Sequence, residues 1–484
     1  MNKLVLLLVF LLPFPFLAQE NLLDSSFGTN NGSTEISLYN GSKVSSVQLY
    51  DSAKLPNGKI LAVGTGIIAR FTTDGHLDTS FHGTGYKKIT PLGNYNQIKP
   101  ANDGNYLLID GASGGKIEKI DEDGNLVTSF NTFNQTLKYA DVDVDLAGNI
   151  YVLIAVNSRH GILRLLPNGI LDTFYGTNGE INLGTNYIYD KIIVKDSNEI
   201  FLGGKQQIST TNRKIVVSKL SPNGSLDTSF GSGGHFTYQG GQYVGDRTFI
   251  DVLPDGSVVG FTSGSLCNGA NCFGLILYKI KFDGTLDTTF FNGGIGVIPV
   301  QSSSDPSKIQ RLNDGSYIIS GTGIRTMYAV KIDKFGILDT AFGTNGRIIT
   351  PELSPIGYPA YNNNFELFGK SIVFLGMYSI GGGGGTIYVS VLRKYFFSPD
   401  SASAPEFANV KVKLFPNPAK DYIQFETDKK IDSYVIYDVL GREIVRESSI
   451  ENTIIDLQKL KTGIYWVNFI STDGLQGSYR IIKE

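Results

Sequence analysis

Cysteine, histidine and charge are all scarce in this chain. Only two Cys occur in 484 residues, Cys267 and Cys272, within SLCNGANCFG. Two cysteines cannot staple a disulfide-built scaffold, and a C-x4-C spacing without a second pair does not make a structural zinc site. Charged residues are 18% of the chain, with a net charge of −3, below the usual share of about a quarter. No basic stripe exists to displace phosphate counterions, which argues against nucleic acid as a partner. The four histidines, His76, His82, His160 and His235, form no H-x-x-x-H pair, so the helical zinc-protease motif is missing. No G-x-S-x-G elbow stands between a strand and a helix. The run GGGGG at 381–385 lacks the Lys and the following helix of a phosphate loop. These absences leave no catalytic constellation, no cofactor motif and no catalytic residue to name.

Long apolar runs are also lacking, except at the start. MNKLVLLLVFLLPFPFLAQE has one Lys, then nine apolar residues before Pro13, where a membrane span needs about 20. This reads as an export signal over residues 1–18, with Ala18 before the cleavage point and no following Cys for a lipid anchor. No membrane span is expected in the mature chain. Export places Cys267 and Cys272 in an oxidising space, where a bridge closing their short loop contributes roughly 2 kcal/mol.

Glycine is abundant, 57 residues, and aromatics reach 11%, a composition of short strands and many turns. One phrase recurs seven times, starting at Leu23, Leu77, Leu126, Leu171, Leu226, Leu286 and Leu338, as in LDTSFGSGG and LDTAFGTNG. Steps of 45 to 60 residues point to a propeller, solenoid or array. Each period also carries a tight-turn pair before a hydrophobic strand, such as LPNGKILAVG or LPDGSVVGFT, because Asn-Gly and Asp-Gly accept positive φ. A second alternating strand follows, such as LILYKIKFDG. Counting the short segments on either side gives four strands per period. The expectation is an all-β chain: a seven-bladed β-propeller, then a small immunoglobulin-like β-sandwich.

Within the phrase, Asp24, Asp78, Asp172, Asp227, Asp287 and Asp339 are placed to fix Asx-type turns. The fifth position is aromatic in every copy: Phe27, Phe81, Phe130, Tyr175, Phe230, Phe290 and Phe342. The expected role is to plug the wedge between neighbouring blades. The phrase is expected to join the outer strand of one blade to the inner strand of the next. The last blade lacks a phrase of its own, so LLDSSFGTNNG near the N-terminus is expected to close the ring. The pattern G-x-L-D-x-S-F-G-x-x-G at this period resembles the delta-60 repeat family of bacterial secreted and surface proteins, over residues 20–397. Copy three departs most, with Val127 and Asn131. The resemblance implies an extracellular repeat protein and no common activity.

Residues 398–409, SPDSASAPEFAN, read as a linker. After it come LFPNPAKDYI, IYDVLGREI, LKTGIYWVNF and RIIKE in order. Residues 410–484 thereby resemble the type A sorting domain of type IX secretion. Pro416, Asn417, Pro418, Gly441, Gly463 and Tyr465 stand at that family's motif positions. The resemblance implies the type IX machinery as a partner, transport across the outer membrane, and release or attachment at the cell surface.

DVDVD puts Asp141, Asp143 and Asp145 at period two, a weak Ca²⁺ candidate. The Gly and Glu of a calcium loop are missing, since Leu146 and Val152 stand there. The expected arrangement is a solvated carboxylate face, with Val142 and Val144 buried. The hairpin loops opposite the Asn-Gly turns vary between blades and are expected to be the third-to-fourth-strand loops. A binding or adhesion role toward a glycan or surface protein is therefore the leading expectation. A coat component without a ligand and a polysaccharide hydrolase or lyase are the alternatives. The last needs carboxylates at the axis, for which Glu35 and Glu180 are the main candidates from the strands expected to be inner.

Overall fold

The computed structural model describes residues 22–398 and 412–484 apart from short internal segments (37, 41–42, 90–92, 112–114, 157–158, 196–197, 210–211, 240–242, 267–272, 301–304, 324, 354–359, 383–384, 428, 439–442, 449, 451 and 473–475). The expected export signal, the Cys267–Cys272 loop, most of the expected linker and Gly441 lie outside the described residues. The chain divides into two compact units, Met1–Ser401 and Ala402–Glu484.

The first unit is a β-propeller built from seven four-stranded antiparallel sheets. Sheet 1 runs Leu49–Lys54, Ile60–Gly64, Ile67–Phe71 and Tyr86–Lys88, paired in chain order. Sheets 2 to 6 repeat this order, beginning at Gln97–Pro100, Tyr139–Val144, Ile188–Val194, Tyr243–Val252 and Asp305–Arg311. Sheet 7 has three consecutive strands, Ala360–Phe368, Ser371–Gly382 and Gly385–Phe396, and takes its fourth from the other end of the chain. That strand, Ser33–Ile36, pairs Ser33 with Arg393 and Ile36 with Ser390. Upstream of it, Leu23 bridges Tyr395, and the Asp24 amide donates to the Lys394 carbonyl at 3.0 Å. The N-terminal phrase thus latches the ring.

The repeated phrase does not run from one blade to the next. It joins the third strand to the fourth strand of the same sheet. Its leucine folds back to bridge the end of the third strand, as in Phe71–Leu77, Leu220–Leu226 and Ile332–Leu338. The short strand after it then takes that strand's free edge. Two consequences follow. The strand before each tight turn is the inner one, and the variable hairpins join the second and third strands.

Each phrase aromatic is buried in a hydrophobic cluster drawn from two adjacent sheets. Phe81 packs with Leu61 and Ile68 of sheet 1 and with Tyr106 and Leu108 of sheet 2. Phe27, Phe130, Tyr175, Phe230, Phe290 and Phe342 sit likewise in the other six seams. The receiving turn must be glycine: a Cβ on Gly75 would fall 2.4 Å from the Phe27 ring, and one on Gly124 2.7 Å from Phe81.

The phrase aspartates fix their turns as expected. Asp78 accepts from the Ser80 amide at 3.2 Å, Asp227 from Ser229 at 3.1 Å, and Asp172 from Phe174 at 3.1 Å. Their second oxygens hold a third-strand cation: Arg70 to Asp78 at 2.6 Å, Arg164 to Asp172 at 2.5 Å, Lys331 to Asp339 at 2.7 Å and Lys394 to Asp24 at 3.2 Å. Several of these cations also lie over the phrase aromatic, Arg70 at 4.8 Å from the Phe81 centroid and Arg164 at 4.1 Å from Tyr175. Burial raises the Asp78 carboxyl, but Lys59, Ser80 and Arg70 outweigh it and hold it far below the usual carboxylate range.

The second unit is a β-sandwich. Val412–Phe415, Tyr422–Thr427 and Ile454–Asp456 form one sheet; Ile431–Asp438, Glu443–Ser448, Gly463–Ser471 and Gln476–Lys483 form the other. Phe425 of the first meets Phe469 of the second at 4.8 Å between centroids, within a core that includes Ile423, Ile436 and Ile481.

Candidate functional site

The seven inner strands meet through side chains, and this ring of contacts defines the propeller axis. The Asn364 amide of sheet 7 donates to the Ser52 carbonyl of sheet 1 at 2.9 Å. Asp51 accepts the Ile98 amide of sheet 2 at 2.9 Å, and Gln97 donates to the Ala140 carbonyl of sheet 3 at 3.1 Å. Asp141 accepts the Ile192 amide at 3.2 Å, Asp143 the Val194 amide at 2.8 Å, and Asp190 the Thr248 amide at 3.2 Å. Arg311 of sheet 6 pairs with Asp251 of sheet 5 at 3.3 Å, and Lys308 donates to the Phe365 carbonyl of sheet 7 at 2.6 Å. Inner strands are sheet edges with unpaired amides. Here sheets 1 to 5 are each capped by a carboxylate or amide from the preceding sheet, sheet 7 is capped by the Lys308 ammonium, and sheets 5 and 6 are joined by the Arg311–Asp251 pair. A register shift in the inner strand directly precedes Asp51, Asp141, Lys191, Lys308 and Asn364. Such bulges re-aim side chains.

The three aspartates of DVDVD are not a solvated face. Asp141 is 2% exposed and is flanked by Lys191 at 2.9 Å and Lys99 at 3.7 Å. Asp145 is also buried and serves its own turn, accepting from the Asn149 amide at 2.8 Å. Val142 is buried and Val144 only partly so, and the polar side meets neighbouring inner strands rather than water. The three carboxylates do not converge, and among the described residues no group of three His, Cys, Asp or Glu is placed to hold a metal ion. Glu35 and Glu180 stand on fourth strands, Ser33–Ile36 and Glu180–Gly184, far along each sheet from the inner strand. The axial position expected for them requires the phrase to lead into an inner strand, whereas it leads into the fourth. The axial carboxylates are instead Asp51, Asp141, Asp143, Asp190, Asp251 and Glu366. The four histidines are scattered; His235 contacts Ser218 at 2.7 Å, and His76 lies 3.3 Å from Asp74.

Burial governs the axial charges. It pushes Asp51, Asp143 and Asp251 up and Lys191 down, while Asp141 is held low because Lys191 and Lys99 outweigh its burial. Asp190 is pushed up to about 6 by burial, against Lys205. A carboxyl raised in the fold contributes stability that is complete below its unfolded value and lost as pH rises through the folded value. The expected result for Asp190→Asn is therefore a stability relative to wild type that improves between pH 4 and pH 7, by about 2–3 kcal/mol. Urea unfolding at the two pH values checks it; a pH-independent difference contradicts it.

The hairpin face above the axis is uneven. Hairpin reach is counted from the third-strand residue that the phrase leucine bridges. Sheet 1 ends at the Gly64–Ile67 pair, four residues from Phe71, while sheet 7 ends at Gly382–Gly385, ten residues from Tyr395. At roughly 3.3 Å per residue, sheet 7 stands about 20 Å taller. Sheets 4 and 5 are intermediate, ending at Gln207–Arg213 and Ser265–Phe273. A step therefore separates the tall sheet 7 from the low sheet 1. Near it, Thr65 on the sheet 1 hairpin donates to Asn94 at 2.9 Å and contacts the Tyr50 hydroxyl at 3.2 Å. On the sheet 7 side, Tyr361 is 38% exposed, and the buried Asn362 amide has no hydrogen-bond partner. Sequence reasoning missed Tyr50, Tyr361 and Asn362 because they lie outside every repeated landmark.

In the second unit, Asn417 works as a strand substitute. Its Nδ2 donates to the Arg480 carbonyl at 2.7 Å and its Oδ1 accepts the Ile482 amide at 2.9 Å. Ala419 and the last residue, Glu484, exchange a further pair with this strand, Ala419 to Ile482 and Glu484 to Ala419, both 2.9 Å. Pro416 and Pro418 are both cis and flank Asn417. The Tyr465 hydroxyl donates to the Lys461 carbonyl at 2.9 Å, beside Gly463. The Pro-Asn-Pro motif clamps the C-terminal strand.

Residues 413–484 match the secretion system C-terminal sorting domain. With this sorting domain, the chain is a type IX secretion cargo, delivered to the cell surface or the extracellular space, and it engages that machinery. Residues 55–81 and 197–230 match a domain of unknown function, the DUF5122 beta-propeller. Both stretches run from a tight turn to the aromatic of a repeated phrase, and neither matched family is catalytic. No curated protein matches the chain. Similar solved structures include the extracellular domain of a putative one-component system from B. thetaiotaomicron, at 10% identity over 96% of this chain and 57% of that chain, TM-score 0.41. A second is a Lactobacillus plantarum protein, at 15% identity over 73% of this chain and 97% of that chain, TM-score 0.40. A third is the polysaccharide lyase Uly1, at 10% identity over 77% and 90%, TM-score 0.38. The chain thus spans just over half the length of the first. No helix among the described residues is long and apolar enough to cross a membrane.

Proposed function

We propose that this exported propeller is a binding protein that grips a glycan or surface-protein ligand on its hairpin face, at the step between sheets 7 and 1. The unequal reach of the hairpins carries this reading. One face of every sheet repeats the same turns and seams, whereas the hairpins on the other reach from four residues in sheets 1 and 2 to ten in sheet 7, as in recognition loops on a rigid frame. The axis supports a frame role. Its carboxylates accept neighbouring backbone amides or pair with cations, and such engaged groups are poorly suited to the acid and nucleophile pair that glycoside cleavage requires. Ca²⁺ enters only as a variable to be tested.

The test is a screen of the full mature chain on glycan and surface-protein arrays, with and without Ca²⁺. The expected result is a saturable ligand whose affinity falls at least tenfold on Tyr50→Ala, with an unchanged melting temperature. A blank screen with folded protein moves the weight to a coat component. Turnover of a polysaccharide on the array moves it to an enzyme.

A further inference from the structure

The seam between sheets 5 and 6 departs from the other seams, on the turn face opposite the hairpins. In five other third-to-fourth-strand turns the residue before the glycine is Asp74, Asp123, Asn168, Asn223 or Asp283; in sheet 6 it is Phe335. The facing phrase also changes. The residue after its aromatic is Phe291 at φ 49°, where other copies reach the same left-handed region with Gly28, His82, Gly176, Gly231 or Gly343. The backbone bond across the seam persists, Phe291 amide to Phe335 carbonyl at 2.8 Å, as Gly231 to Asp283 does at the preceding seam. Only the side chains have been exchanged.

The exchange accompanies a cavity of about 370 Å³, lined among others by Lys279, Arg311, Lys334, Phe335 and Tyr317 and by no carboxylate. In the seam between sheets 1 and 2 the third-strand cation, Arg70, reaches the turn carboxylate of Asp123 at 2.6 Å. Here Phe335 removes that carboxylate. Lys279 keeps Asp287 at 3.2 Å and Arg311 keeps Asp251 at 3.3 Å. Lys334 stands 5.2 Å from the Phe335 centroid, and Phe335 is 54% exposed. Tyr317 is 1% exposed, and burial together with the neighbouring Asp251 carboxylate pushes its hydroxyl well above the usual tyrosine range. A phenolic oxygen beside a carboxylate keeps acceptor capacity for one further hydrogen bond.

The geometry points to a second binding site, distinct from the hairpin face, that takes a uronate unit of an acidic polysaccharide. The volume, near the lower end for small-ligand pockets, suits one ring. The ring's apolar face stacks on Phe335, its carboxylate meets Arg311 and Lys334, and a hydroxyl donates to the Tyr317 oxygen. An aromatic carboxylate fits the first two features and brings no hydroxyl to Tyr317.

Titration calorimetry of the full mature chain with tri-galacturonate, a neutral hexose trimer and benzoate tests the site. The expected result is binding of tri-galacturonate at least tenfold tighter than of the other two. Phe335→Asp, which restores the residue type of the other turns, is expected to abolish that binding without lowering the melting temperature. Lys334→Glu, at an exposed position, is expected to weaken it at least tenfold. Equal binding of the neutral trimer or benzoate, tri-galacturonate binding unaffected by both variants, or no binding by wild type overturns the site. None of these results touches the hairpin-face reading, which Tyr50→Ala reports separately.

Discussion

A chain lacking residues 410–484 is expected to accumulate in the periplasm, with essentially none outside the cell. The cause is structural as well as sequential. The second unit has its own core, from Ile423 to Ile481, and its C-terminal strand is held by Asn417 through two backbone hydrogen bonds. Removing the domain removes the whole segment that matches the sorting family, while every seam aromatic belongs to the first unit. Asn417→Ala leaves the core and strips two hydrogen bonds from a backbone edge, at about 1 kcal/mol each. Its export is expected to fall partly rather than completely. Immunoblots of medium, surface and periplasmic fractions in a type IX-competent host check both. Extracellular truncated protein at the wild-type level contradicts the assignment.

The repeat was legible because each position of the phrase has one physical job in nearly every copy. Aspartate ties a turn, the aromatic fills a seam, and glycine sits where a Cβ would strike a neighbour. A further regularity lay in the sequence unused. The cation eight residues before the aspartate, Arg70 before Asp78 or Lys331 before Asp339, recurs because both flank one seam. Strand order was not legible. Tyr86–Lys88 alternates in the same way whether it is inner or outer, and only pairing with Ile67–Phe71 decides it. That ambiguity sent Glu35 and Glu180 to the axis and the variable loops to the wrong pair of strands. The axial charges were hidden for a related reason. YADVDV and DPSKIQR look half-solvated in isolation, and their partners lie one sheet away around the ring.

Loss of residues 20–36 is expected to unlatch the ring and lower the melting temperature by on the order of 10 °C. The segment supplies the outer strand of sheet 7, the seam aromatic Phe27, which is 2% exposed, and the partner of Lys394. Truncating one buried Phe costs about 3–5 kcal/mol. Breaking the buried Lys394–Asp24 ion pair, with the Lys394 side chain 4% exposed, adds to this cost. Val391 and Leu392, both buried under the lost strand, become an exposed edge open to pairing with other chains. The pair of point changes Asp24→Ala and Phe27→Ala gives the same test without shortening the chain, and is expected to show roughly half the effect. Both the hairpin step and the seam cavity depend on a closed ring. Calorimetric unfolding of the full mature chain beside its 20–36 deletion is therefore the measurement to make. A fall on the order of 10 °C, with exchange of the sheet 7 amides opening first, is the result a latched ring predicts. An unchanged melting temperature and unchanged protection of Gly385–Phe396 would contradict it.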